Sequence, residues 1–172
     1  RITADELARD VIVDSRVFHV GSLSLTDEPA RSATLAALDA AREAGCVLSY
    51  DPNYRANLWP SVDAAVAQMR SVVGRMDLMK LSDEECELLT GEKDPRAAAD
   101  ALLGAGPKVV AVTLGAGGAY VACADGGREV AGFPAEAVDA TGAGDSFWGG
   151  FLAGFCESGL APADVTADDA AG

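Results

Sequence analysis

The residues best equipped for chemistry gather in one stretch near the end of the chain, Asp139-Ala140-Thr141-Gly142-Ala143-Gly144-Asp145-Ser146-Phe147-Trp148-Gly149-Gly150. Gly142 and Gly144 permit a tight turn and leave backbone amides uncovered. Beyond them Phe147, Phe151 and Phe155 recur every fourth position, with Trp148, Leu152 and Cys156 alongside, which predicts a helix with a buried face. A helix start carries unpaired N–H groups and a partial positive charge, so it can hold a phosphate oxygen. Asp145 falls in that first turn, where a carboxylate beside an anion pocket can take the proton of an attacking hydroxyl. An Asp there is equally a good helix cap or dipole partner, and the residues alone leave both readings open. The stretch is not a P-loop, because no Gly-Lys-Ser/Thr follows the glycines. Nor is it a good dinucleotide fingerprint, because Phe147 stands where a third small residue is needed.

The elements that must position this stretch read as alternating strands and helices. Thr3 and Glu6 form a capping box for a short helix, and Val17–Val20 is a short β-rich run ending at Gly21. Asp27, Glu28 and Pro29 open a helix that Gly45 stops, and Cys46–Tyr50 is the next strand. Strand, helix and strand at these lengths make a βαβ unit with parallel pairing. Ser61 caps a helix to about Val73, Asp77–Leu81 is a third strand, and Ser82 with Glu85 is a capping box for a helix ended by Gly91. Asp94-Pro95 starts another helix, and Lys108–Leu114 is an apolar, β-branched fourth strand. Ala119–Cys123 and Arg128–Gly132 flank Ala124-Asp125-Gly126-Gly127 as a β-hairpin, and Phe133–Val138 leads into the glycine motif. A last helix begins near Asp164. The reading is α/β: a mostly parallel central sheet with helices on both faces, a three-layer sandwich in one domain.

Ligands bind such sheets at the C-terminal ends of the strands. The second strand delivers Asp51-Pro52-Asn53-Tyr54-Arg55 and then Leu58-Trp59 to that edge. Asp-Pro-Asn is good turn chemistry in its own right, and Arg55 offers planar multi-donor contacts to phosphate or hydroxyl oxygens. The fourth strand delivers Thr113-Leu114-Gly115-Ala116-Gly117-Gly118, a turn after a strand that carries little specificity by itself.

Together, and in this order, these motifs resemble the ribokinase-type (PfkB) sugar kinases, over nearly the whole chain. Asp139–Phe147 resembles the family's C-terminal signature. The Asp51–Trp59 segment is similar to that of fructokinases and 2-keto-3-deoxygluconate kinases, which implies that Asn53 and Arg55 lie near substrate or phosphates. Glu85 matches the Glu of the family's Asn-x-x-Glu, which acts on magnesium and phosphate through bound water; Ser82 stands where Asn is common. Thr113, Gly115 and Gly118 match a nucleotide-contacting turn. Asp139 and Thr141 match positions that help bind a monovalent cation, K⁺ in the first instance, though a turn residue and a helix cap account for them as well.

The resemblance implies a ribokinase-like fold and transfer of the γ-phosphoryl group of ATP to a hydroxyl of a small sugar. Asp145 would act as base, the amides of Gly142, Ala143 and Gly144 as anion hole, and Mg²⁺ and K⁺ as cofactors. Fructose is the first expectation. 2-Keto-3-deoxygluconate, ribose or a nucleoside is the alternative within the family. Against the family's pattern the chain reads as truncated at both ends, keeping the nucleotide-binding and catalytic-base portion without the N-terminal sugar and lid portion. A non-catalytic nucleotide-binding fragment is therefore a second expectation, and exposed strand edges would favour self-association as a homodimer. A dehydrogenase is disfavoured, because its glycine fingerprint should follow the first strand.

The totals narrow the remainder. The 172 residues suit one domain, and 49% are apolar, enough for a sizeable core. A net charge of −14 argues against nucleic acid and anionic membrane surfaces as partners. An anionic substrate would need a local amide pocket, an Arg or a metal to overcome that field. Cys46, Cys86, Cys123 and Cys156 are widely spaced and read as buried, reduced thiols. His19 is the single histidine, expected to be packed or hydrogen-bonded within its strand. With no apolar run of spanning length and a polar start to the chain, the expected compartment is the cytoplasm.

Overall fold

A computed structural model describes residues 2–134 and 139–172. The expected end of the Phe133–Val138 lead into the glycine motif lies outside the described residues from 135 on.

The strands are β1 (Val17–Gly21), β2 (Val47–Asp51), β3 (Leu78–Ser82), β4 (Val109–Thr113), β5 (Gly118–Cys123) and β6 (Gly126–Ala131). They form one six-stranded sheet in the order β1-β2-β3-β4-β5-β6. β1 to β4 pair in parallel; β5 and β6 are the antiparallel hairpin. The helices are α1 (Arg9–Val13), α2 (Ala30–Glu43), α3 (Val62–Val73), α4 (Asp83–Thr90), α5 (Pro95–Ala105), α6 (Ala143–Ser158) and α7 (Ala167–Ala171).

Local chemistry sets the helix ends. Ser61 Oγ accepts from the Ala64 N–H at the start of α3, and Asp94 accepts from the Arg96 and Ala97 N–H groups at the start of α5, with Pro95 at the first helical position. α4 stops at Gly91 and α6 at Gly159, both in the left-handed conformation that glycine takes without steric cost.

The period-2 alternation of the strands sorts their side chains into two cores. Leu48, Tyr50, Met79, Leu81, Val110 and Val112 face one way and pack with Leu38, Met69, Val72, Leu89 and Leu102 of α2 to α5. Leu78, Val109, Ala111 and Val121 face the other way and pack with Trp148 and Phe155 of α6 and with Val165. Helices therefore cover both faces of the sheet.

The expected buried face of α6 is present but graded: Trp148 and Phe155 are buried, while Phe147, Phe151, Leu152 and Cys156 pack against them only partly buried. The indole of Trp148 points at the sheet, where its N–H finds a partner. Phe147 and Phe151 line an open apolar hollow with Val130, Leu160 and Val165, and Phe151 stacks on Trp148 with centroids 4.6 Å apart.

Candidate active site

The parallel strands end in register at one edge, with Gly21 opposite Asp51 and Ser82 opposite Thr113. The loops that follow carry the sequence candidates. Asn53 has a left-handed backbone (φ 45°), which Asn tolerates better than most residues, and its N–H donates to Asp51 Oδ1 at 3.1 Å. Arg55 is exposed and its guanidinium bonds only locally among the described residues, to the Tyr54 carbonyl at 3.2 Å.

Glu85 joins two of these loops. Its Oε2 accepts from the Ser82 N–H at 2.8 Å, completing the capping box, and its Oε1 accepts from the Tyr54 N–H at 2.7 Å. The carboxylate is buried (7% exposed) and holds the Asn53–Arg55 loop against the start of α4. The cap reading is thus realised, and each oxygen keeps a further lone pair for a water. Among the described residues no cluster of three or more His, Cys, Asp or Glu forms a metal cage.

Thr113 ends β4, its hydroxyl 3.4 Å from the Leu81 carbonyl. Gly115 and Gly118 both have positive φ, but for different reasons. At Gly115 the space around a Cβ would be open. At Gly118 a Cβ would meet the Val130 carbonyl at 1.9 Å, so the β5–β6 hairpin itself demands glycine there.

Gly142 caps α6 with φ 78°, and of the expected anion-hole amides that of Ala143 is already taken, donating to the Ala140 carbonyl at 3.1 Å, which leaves those of Gly142 and Gly144. Asp145 is exposed in the first turn. Before the turn, the Thr141 N–H donates to Asp139 Oδ1 at 2.8 Å, an Asx-type turn. The hydroxyl and then the N–H of Thr141 hold the Asp139 carboxyl below the usual carboxylate range. A second Asp139 oxygen and the turn's carbonyls are the right donor class for a monovalent cation.

Sequence reasoning missed the polar floor beneath this turn. Lys80 lies mid-strand in β3 on the α6 side of the sheet, and its Nζ donates to Asp51 Oδ2 at 2.8 Å. Both side chains are almost wholly buried, 8% and 5% exposed. A Cβ on Gly144 would stand 2.8 Å from Lys80 Nζ, so the glycine lets the first turn of α6 settle on the ammonium. Beside the pair, Ser49 Oγ accepts from Trp148 Nε1 at 2.8 Å and bonds His19 Nδ1 at 2.9 Å. Crowding that strips water from the charged ring pushes the His19 pKa down. The Asp51 and Asp145 carboxylates pull it up, and Lys80 adds to the push. A lysine inside the apolar run Leu78-Met79-Lys80-Leu81 was the available signal, since a charge in a buried strand needs a partner.

The geometry is that of an α/β protein with a mostly parallel sheet and a glycine-opened helix whose first turn carries an acidic residue beside a buried lysine–aspartate pair. The chain belongs to the pfkB family of carbohydrate kinases, whose model matches residues 2–165. It is 46% identical to a probable fructokinase-2 of Arabidopsis thaliana over 149 residues, which is 86% of this chain and 45% of that protein. The fructokinase of Vibrio cholerae O395, solved with fructose, ADP and calcium ion, superposes with a TM-score of 0.74 at 38% identity over 79% of this chain and 44% of that one. The ATP-bound fructokinase of Xylella fastidiosa gives 0.84 at 26% identity over 98% of this chain and 53% of that one. The chain spans about half the length of the curated relatives it matches. Among the described residues no helix is long and apolar enough to cross a membrane.

Proposed function

We propose that this chain carries the nucleotide-binding and catalytic-base portion of a sugar kinase that moves the γ-phosphoryl group of ATP to a hydroxyl of fructose. The observation that carries the reading is the exposed Asp145 in the first turn of α6, directly after Gly142 and Gly144, with Gly144 packed on the buried Lys80–Asp51 pair. In the reaction the sugar oxygen attacks Pγ, the bond from Pγ to the bridging oxygen of ADP breaks, and Asp145 takes the hydroxyl proton. The Gly142 and Gly144 amides stabilise charge that develops on the transferred oxygens. Arg55 and Asn53 steady sugar or phosphate oxygens, and Thr113, Gly115 and Gly118 meet the nucleotide. Magnesium, when bound, neutralises phosphate charge, with Glu85 as its water-mediated support; Asp139 and Thr141 hold K⁺ beside the pocket. The cysteines are free, Cys46, Cys86 and Cys123 buried and Cys156, against expectation, only half-buried; free thiols suit a reducing compartment such as the cytoplasm.

The similarity to fructokinases supports fructose over 2-keto-3-deoxygluconate, ribose or a nucleoside. A second reading is favoured by the chain's span of about half its relatives: alone, it binds Mg-ATP without sugar-dependent turnover.

The test is ADP release with Mg-ATP and K⁺ against a panel of these sugars, beside the Asp145→Asn variant. Fructose-dependent ADP that vanishes in the variant supports the kinase reading. ATP binding without ADP release on any sugar supports the second, and turnover that survives Asp145→Asn overturns the base assignment.

A further inference from the structure

We propose that Lys80 is a positioning residue for the phosphoryl-transfer pocket: pinned by Asp51, its ammonium seats the first turn of α6 and lends that turn a fixed positive charge. The inference rests on the kinase reading of the same site.

Four observations support it. Lys80 and Asp51 are buried at the active edge of the sheet rather than on the surface, and their contact is direct. An ammonium has three donors; Asp51 accepts one, and Lys80 makes no other hydrogen bond among the described residues. On the opposite side Nζ lies so close to Gly144 that a methyl group on that residue would collide with it. Finally, the first turn of α6 holds an acidic residue and no basic one, in a chain of net charge −14. Besides Arg55 and magnesium, the turn itself offers only amides to a polyphosphate in that field; the ammonium pole of the Lys80–Asp51 pair, set close to Gly144, adds local positive potential where screening is weak.

Stability does not account for the pair. Burying both charges costs desolvation that their attraction only just repays, and apolar replacements of such pairs are often neutral or stabilising. What the pair adds is a charge at a fixed place. Asp51 sets the place, since its other oxygen is tied to the Asn53 N–H.

The test uses two variants. Lys80→Leu with Asp51→Asn removes both charges and leaves the carbonyl acceptor for the Asn53 N–H. Gly144→Ala keeps both charges but displaces the ammonium from the turn. Circular dichroism and thermal melting report the fold, and Mg-ATP and Mg-ADP affinity is read from tryptophan fluorescence. Sugar-dependent turnover is measured in parallel. For both variants kcat should fall about 100-fold and ATP affinity about 10-fold, the scale of losing one preorganised anion contact, with the sugar KM unchanged. Combining them should cost little more than either alone, because both act through the same contact.

Wild-type nucleotide affinity and kcat in either folded variant overturn the proposal, as does a full additive loss on combining them. If the wild type turns over no sugar yet loses ATP affinity on Lys80→Leu/Asp51→Asn, the role of Lys80 at the nucleotide pocket stands and the reading of the chain as a nucleotide-binding portion without turnover is supported. A wild type that binds neither nucleotide overturns both.

Discussion

Trp148 Nε1 donates a 2.8 Å hydrogen bond to Ser49 Oγ, joining the second turn of α6 to the middle of β2 across 99 residues of sequence. The indole is a donor only, so Ser49 must accept, and both groups are buried. Ser49→Ala leaves the indole N–H without a partner and should cost about 1–3 kcal/mol, the penalty for an orphaned buried donor. Trp148→Phe removes the donor along with the need and leaves only a smaller ring. Urea unfolding should show Ser49→Ala destabilised through a lower midpoint with unchanged m-value.

Asp145→Asn is nearly isosteric at an exposed position, so the fold should melt as the wild type does. Phosphoryl transfer should drop by about 10²–10⁴, the worth of a positioned general base. Near-normal turnover in single-turnover assays would remove Asp145 from that role.

His19 is the one histidine, so its ring resonances in an NMR titration are unambiguous. They should titrate below the ordinary value of about 6.5. The Asp145 carboxylate raises this pKa, so Asp145→Asn should push it lower still. With the folded value depressed, the unfolded chain takes up the proton first on acidification. The stability linked to His19 is therefore complete above about pH 6.5 and is lost as pH falls towards the folded pKa. A His19→Gln variant should lose that slope in melting temperature against pH; a titration at or above the ordinary value would contradict the placement.

Glu85→Gln exchanges one acceptor oxygen for an amide NH2, a donor that must then face either the Ser82 or the Tyr54 N–H. Loss of about 1–3 kcal/mol in denaturant unfolding is expected from the unmatched donors. The proposed water-mediated role predicts in addition a higher magnesium concentration at half-maximal rate. A shift in stability alone would leave Glu85 as a cap and clasp.

Among the described residues the Arg55 guanidinium bonds only to the neighbouring carbonyl, so Arg55→Ala should leave the melting temperature in place. KM for sugar or ATP should rise. Unchanged kinetics would make it a surface residue.

The parts of this molecule that were legible in the sequence are those that local rules govern. Pro29, Ser61, Asp94 and Gly91 mark helix ends because capping needs only a few neighbouring residues, and β1 to β6 follow from β-branched runs bounded by turns. The glycine turn and Asp145 were legible as a motif. The pairing of Lys80 with Asp51 was not, because it depends on which residues of β2 and β3 share a face and on α6 landing above them. Trp148 outranked the phenylalanine stripe for a similar reason: periodicity counts apolar residues but does not say that a seryl hydroxyl in β2 awaits an indole. At Gly118 the sequence did not show that the hairpin also demands glycine, with the Val130 carbonyl where a Cβ would be.

The Glu85 carboxylate has a mechanical consequence. Because it grips the Tyr54 amide with one oxygen and the Ser82 amide with the other, the loop after β2 and the head of α4 form one body. Neither can swing towards a bound molecule without carrying the other. The two amides share a single lock against exchange with solvent, and a ligand that touches one loop is felt at once by both.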